Sequence, residues 1–98
     1  MDVDRIIHEP ARLRILMILS GVDAVDFAFL CSTLGLTKGN LSSHMDRLEK
    51  AGYIEIHKTF NGKIPHTDYR LTRAGHEKLN QYWDDLEAIR ALKDTPKD

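Results

Sequence analysis

Cysteine is nearly absent from this chain. Cys31 stands alone among 98 residues, so no internal disulfide can form, which fits a reducing compartment. Long apolar runs are missing too. Ile15 to Leu19, unsurpassed in length, is far too short to span a bilayer, so no membrane helix is expected. The N-terminus opens with Asp2 and Asp4 and lacks an extended apolar stretch, so no secretory leader is expected and the chain reads as cytoplasmic. There is no internal repeat, low-complexity segment or interdomain linker. No Ser/His/Asp constellation and no phosphate-cradling glycine loop occurs, because Gly35 and Gly39 do not make one. An enzyme is therefore not expected, and no cofactor is implied. Net charge is also scarce, at −1, so overall charge gives no attraction for nucleic acid.

What is present is more informative. The length predicts one domain over residues 1–98. A domain this small buries only roughly 60% of its unfolded surface, so burial against a partner subunit would help it. The charge is unevenly spread. Residues 1–37 hold three Lys/Arg against five Asp/Glu, and residues 74–98 hold four against six; each segment is −2. Residues 38–73 hold seven against four, giving +3. Positive charge gathers in the middle of an acidic chain, as an electrostatic footprint for nucleic acid should. His44, His57 and His66 lie in the same window.

The periodicities predict a mainly α chain with a small β-hairpin. Pro10 suits the first turn of a helix, which runs to Leu19 and stops at Ser20-Gly21. Its apolar residues cover most of its circumference, so it should be buried on more than one side. Val22 to Val25 is a connector with room for one brief strand. Asp26 is a candidate N-cap for a second helix whose buried face is Phe27, Leu30, Cys31 and Leu34. On that stripe Cys31 is a core residue. Gly35 can take a left-handed C-cap. Thr37 is the next N-cap, before a helix over 38–50 with Leu41, Met45 and Leu48 facing inward. Residues 26–51 thus read helix, tight turn, helix. Tyr53 to Thr59 alternates as a strand, Asn61-Gly62 is a hairpin turn signal, and Thr67 to Leu71 returns, making a wing over 53–71. A two-residue turn at Asn61-Gly62 would set Ile54 opposite Tyr69, Ile56 opposite Thr67, His57 opposite His66 and Glu55 opposite Asp68. Pro65 cannot donate to a ladder and should loosen pairing near the tip. Thr72 caps a last helix over 72–92, a rod of roughly 30 Å.

Four stretches together carry a resemblance. Pro10-Ala11-Arg12-Leu13-Arg14-Ile15-Leu16 resembles a first-helix signature Pro-x-Arg-Leu-x-Ile-Leu. Leu34-Gly35-Leu36-Thr37 through Leu41-Ser42-Ser43-His44-Met45-x-x-Leu48, then Gly52-Tyr53-Ile54, resembles a helix-turn-helix core and its exit. Tyr69-Arg70-Leu71-Thr72-x-x-Gly75 resembles the junction after the wing. In this order, over roughly residues 6–92, they resemble the winged-helix transcription regulators of the MarR and ArsR type. The resemblance implies an α+β winged helix-turn-helix with a long C-terminal dimerisation helix, a homodimer, and binding to palindromic double-stranded DNA.

On that expectation the helix 38–50 enters a major groove and the wing, over 57–66, lies on backbone or minor groove. The candidate contacts are Thr37, Lys38, Gly39, Asn40, Ser42, Ser43 and Arg47 on the helix, with Lys58, Asn61, Lys63 and His66 on the wing. Small Gly39 and Ser side chains allow close approach, and the helix N-terminus favours a phosphate. Asn40 matches adenine, and Arg47 matches guanine or a phosphate. Asp46 beside Arg47 either orients the guanidinium or repels the backbone. His44, at the edge of the apolar face, is expected as a packed imidazole. Ile15, Ile18 and Leu19, with Leu79, Tyr82, Trp83, Leu86 and Ile89, form the expected dimer interface; packing of the last helix on its own chain is the alternative. Two other readings stay open. Glu55, His57, His66 and Asp68 on one wing face have the chemistry for a divalent metal, giving a metal-responsive regulator. A winged helix used only for protein–protein contact is the other. The operator and any small-molecule effector are not legible.

Overall fold

A computed structural model describes residues 2–97. The elements are α1 (Pro10–Ser20), β1 (Val25–Asp26), α2 (Phe27–Leu34), α3 (Lys38–Lys50), β2 (Ile54–Asn61), β3 (Ile64–Leu71) and α4 (Arg73–Arg90), followed by a 3-10 turn over Ala91–Asp94. The last helix, expected over 72–92, ends as α-helix at Arg90, and the 3-10 turn carries the chain on to Asp94.

The caps explain why the helices start where they do. Asp26 accepts the Phe29 N–H at 2.8 Å, Thr37 the Asn40 N–H at 3.1 Å, and Thr72 the Gly75 N–H at 2.9 Å. Gly35 closes α2 at φ 66, in the left-handed region. The cap of α1 was not legible in sequence. Glu9 bridges both the Ala11 and Arg12 N–H groups through its carboxylate. Partial burial raises its pKa. The two N–H bonds, with the charges of His44 and Arg12, outweigh that and hold it below the ordinary carboxylate value.

Helix α1 sits at the centre, with Ile15, Leu16 and Leu19 fully covered against Leu30 of α2, Leu41, Met45 and Leu48 of α3, and Leu79 and Tyr82 of α4. The N-terminal segment completes this core. Ile7 is fully buried, and Asp4 folds that segment by accepting the Ile6 and Ile7 N–H groups and the Tyr53 hydroxyl. Burial, the bond to Asp4 and its charge push Tyr53 up to about 12.

The sheet has order β1-β3-β2, all antiparallel. The hairpin register differs from the expected one by two residues. Ile54 faces Leu71, Ile56 faces Tyr69, His57 faces Asp68 and Asn61 faces Ile64, so the turn is Gly62-Lys63. Only Gly62, at φ 67, takes positive φ in that turn. This is the type II′ arrangement, which needs a glycine first, whereas an Asn-Gly type I′ turn needs positive φ twice. The ladder also continues through Pro65, which lies opposite Phe60. At that point β1 no longer pairs, since it reaches only Asp68 and Tyr69, so β3 has an open edge where a missing N–H is tolerated.

Strand, wing and last helix meet at one tight junction. The Tyr53 carbonyl accepts the Thr72 N–H at 3.0 Å, and the Thr72 hydroxyl donates to the Gly52 carbonyl at 2.7 Å. Gly75 of α4 is buried on this spot, where an added Cβ would lie 2.2 Å from the Tyr53 oxygen.

Two stability predictions follow from these contacts. Gly75→Ala, despite a gain in helix propensity of roughly 1 kcal/mol, should lower stability by about 2 kcal/mol in urea titration, because backbone must move. An unchanged or raised midpoint would contradict the junction. Tyr53 has a folded pKa above its ordinary value of 10.0, so its contribution is complete below pH 10 and lost as pH rises toward about 12. Thermal melts across that window should fall steeply for the wild type and less for Tyr53→Phe; parallel curves would contradict it.

Candidate nucleic-acid interface

Every predicted contact residue on α3 is exposed: Thr37, Lys38, Gly39, Asn40, Ser42, Ser43 and Arg47. Gly39, Ser43, Asp46 and Lys50 fall at i, i+4, i+7 and i+11, so they form the outermost ridge, opposite the buried Leu41, Met45 and Leu48. Asn40 and Arg47 flank that ridge on one side. Ser42 and Glu49 flank it on the other, and with Asp46 they line a groove shared with Ile56 and Lys58 of β2 and Thr67 and Tyr69 of β3. The space above Gly39 is open, so the first turn can be approached closely. That turn holds no acidic residue.

Three side chains differ from expectation. The Thr37 hydroxyl is engaged as the cap of α3, so as an acceptor it serves the helix first. Asp46 pairs with Lys50 at 2.9 Å, one turn on, rather than orienting Arg47. Lys50 is the residue that sequence reading missed. It shares the outermost ridge with Ser43, and its spacing of four from Asp46 was the available signal.

Among the described residues, Lys38, Arg47, Lys58 and Lys63 enter no ion pair. Ion pairs hold Arg12, Lys50, Arg70, Arg73 and Arg90, while Arg5, Arg14 and Lys78 elsewhere in the chain are likewise without one. The cations left unneutralised on this side of the molecule are the predicted contacts.

Strand alternation sorts the wing. Lys58 and Phe60 share the face turned toward α3, Lys63 occupies the turn, and Asn61 and His66 lie on the opposite face. His66 accordingly lines a hollow with Val22, Val25, Phe29 and Asp68, and its Nε2 is 3.8 Å from an Asp68 oxygen. It does not join the surface formed by α3 and Lys58. The register also disassembles the proposed metal constellation. His57 lies opposite Asp68 rather than His66 and is 2.9 Å from Glu55, while Glu55 faces Arg70. Among the described residues no three His, Cys, Asp or Glu side chains converge as metal ligands.

Behind the reading face, His44 is half-buried and packed, as expected. Its Nδ1 is 3.2 Å from an Arg12 nitrogen and 3.6 Å from Glu9. Arg12 is only 8% exposed and also donates to the carbonyls of Ile6 and Arg5, at 2.6 and 3.4 Å. A buried guanidinium bonded through each of its three nitrogens ties α3 to α1 and the N-terminal segment.

The predicted dimer residues divide likewise. Ile15, Leu19, Leu79 and Tyr82 are buried in the chain's own core, and Tyr82 bonds His8 at 2.8 Å. They are covered without a partner because α4 packs on its own α1. Ile18 and Leu86 are half-buried, and Trp83 and Ile89 stay exposed.

A sheet of three antiparallel strands behind a helix-turn-helix, with a basic outer helix and a projecting hairpin, defines a winged-helix DNA-binding domain. The family model described as a winged helix DNA-binding domain matches residues 11–90, and the chain belongs to that family. The family and fold are those of transcription regulators rather than enzymes. The chain is 32% identical, over 80% of its length and 85% of the relative's, to an uncharacterized protein of Methanocaldococcus jannaschii. A transcriptional regulator homologue from Pyrococcus horikoshii superposes with a TM-score of 0.84 at 29% identity, over 94% of this chain and 91% of that one. The MarR protein of E. coli, solved in complex with operator DNA, shares the fold with a TM-score of 0.65 at 24% identity, over 74% of this chain and 51% of that one. No helix among the described residues is long and apolar enough to cross a membrane.

Proposed function

We propose that this chain is a homodimeric transcription regulator that binds double-stranded DNA sequence-specifically, with α3 in the major groove and the wing over 57–66 on backbone or minor groove. The observation that carries this reading is the set of unpaired cations, Lys38, Arg47, Lys58 and Lys63, gathered on the exposed side of α3 and the adjoining wing. Lys38 stands at a helix N-terminus whose free N–H groups favour a phosphate. Phosphate contacts set position and register, and the outer ridge of α3 reads base edges. Arg47 suits a bidentate contact to guanine, Asn40 to adenine.

A second copy is supported by shape and by exposed apolar surface. The radius of gyration is 16.1 Å, against about 13 Å for a compact chain of this length. The far half of α4 leaves Trp83 and Ile89 in solvent with Leu86 half-covered between them, and Leu92 in the 3-10 turn beyond is exposed as well. At a spacing of three these residues wind about the helix, making an apolar patch that continues past the chain's own core. Two such patches packed about a twofold axis would set the α3 helices roughly one DNA turn, ~34 Å, apart.

Duplex binding should weaken steeply with rising salt as counterions are released. Arg47→Ala should weaken binding about tenfold and relax sequence preference, while Lys63→Ala should weaken all sequences alike and lower the salt slope by about one. Both variants should melt with the wild type. Equal affinity of all three proteins in a salt titration would overturn this surface. For the dimer, Ile89→Asp should sediment as a monomer where the wild type sediments as a dimer. A dimer mass for the variant would reject the α4 patch, and a monomeric wild type would reject the dimer.

A further inference from the structure

The wing tip carries apolar side chains that the fold leaves bare. Phe60 is 75% exposed and Ile64 70%, the two most exposed large apolar side chains among the described residues. Covering a phenylalanine ring contributes about 2 kcal/mol, and here the chain forgoes it. Nothing local requires the ring, since Phe60 takes no part in the core cluster. Yet the tip is well built. The ladder reaches Asn61 and Ile64, the turn is the tight glycine-first type, and Pro65 stands opposite Phe60. The ring is thus presented on an extended hairpin rather than on a loose loop.

Its direction and surroundings narrow what it meets. Along β2, Ile56 and Lys58 face α3 across the groove, and Phe60 is the next residue on that face. From Ile56 to Thr67 there is no acidic residue, and Lys58 and Lys63 bracket the ring. An apolar tip set among unpaired cations complements a polyanion that offers flat apolar faces between its charges. Duplex DNA is such a partner. A protein partner of ordinary affinity would need roughly 800 Å² of contact per side, far more than the end of one hairpin supplies.

The geometry points to Phe60 as an apolar wedge that enters a base step from the minor groove while α3 occupies the major groove. This rests on the DNA-binding reading above and extends it to how the wing discriminates sequence. An inserted ring partly unstacks two base pairs and kinks the duplex by roughly 20–90°. Lys58 and Lys63 on the flanking phosphates hold the wing against the strain. Unstacking is easiest at pyrimidine–purine steps such as TA and hardest in stiff A-tracts. The wing therefore selects for deformability, at positions where it makes no hydrogen bond to a base edge.

The test compares wild type, Phe60→Ala and Phe60→Leu on two end-labelled duplexes of equal base composition, one with recurring TA steps and one of A-tracts. Energy transfer between the ends reads bending, and titration reads affinity. Wild type should bend the TA-rich duplex and prefer it. Phe60→Ala should bind it about tenfold more weakly, the usual loss for one aromatic–base stack, with no bend and no preference. Phe60→Leu should keep part of both. All three should melt alike, because the ring is exposed. Binding without bending by the wild type, or bending by Phe60→Ala equal to wild type, overturns the wedge and leaves DNA binding intact. Failure of the wild type to bind either duplex overturns the DNA-binding reading itself, and the wedge with it.

Discussion

The arrangement of the reading head depends on one close approach, the packing of Gly75 on the Tyr53 carbonyl. Tyr53 follows the end of α3, opens the wing and accepts the Thr72 N–H that begins α4. Its own N–H returns to the Leu48 carbonyl, so α3 turns into the strand without a free joint. A helix can cross that carbonyl only where it has no side chain, and Gly75 supplies the gap. Recognition helix, wing and last helix are thereby held at fixed angles by a few atoms. A duplex spanning α3 and the wing needs that fixed angle, because a misplacement of an ångström would separate the wing cations from the phosphates that α3's register selects.

A second constraint holds the same helix from behind. Arg12 is buried, and burying a guanidinium is tolerable only when its donors are used. Two backbone carbonyls, His44 and the nearby Glu9 occupy them. The N-terminal segment becomes part of the domain through Ile7 and Asp4. The interior side of α3 thus carries its polar partners inward, and its outer side is left with Lys38 and Arg47 unpaired. Buried and exposed residues thus divide the helix cleanly.

The helices were legible in the sequence because their signals are local. Thr37, Thr72 and Asp26 cap where side-chain chemistry says they should, and Gly35 stops α2 because left-handed backbone favours it. The buried stripes of α2, α3 and α4 follow helical period. What was not legible came from distant contacts. Glu9 as a cap, Ile7 in the core and the Arg12 network need the N-terminal segment folded back on α3, which no period announces. The hairpin register failed by two residues because Asn61-Gly62 satisfies one turn type while Gly62-Lys63 satisfies another. Packing settles it by setting Ile56 against Tyr69 in place of Thr67. The same shift undid the metal constellation, while His66 stays on the face turned away from α3, because a slip of two keeps each side chain on its own side. In the dimer stripe, sequence marked the apolar positions but could not say which of them the chain covers by itself: Tyr82 and Leu79 go inward, Trp83 and Ile89 do not.

A rigid helix-and-wing head is thus joined to an apolar patch left uncovered on the last helix, and the proposed twofold-symmetric, sequence-specific DNA recognition rests on both. Selection of bound duplexes from a random pool tests it. Enrichment of an inverted repeat whose half-sites lie about one helical turn apart is expected. A pool that stays random, or that converges on a single site without symmetry, would contradict it.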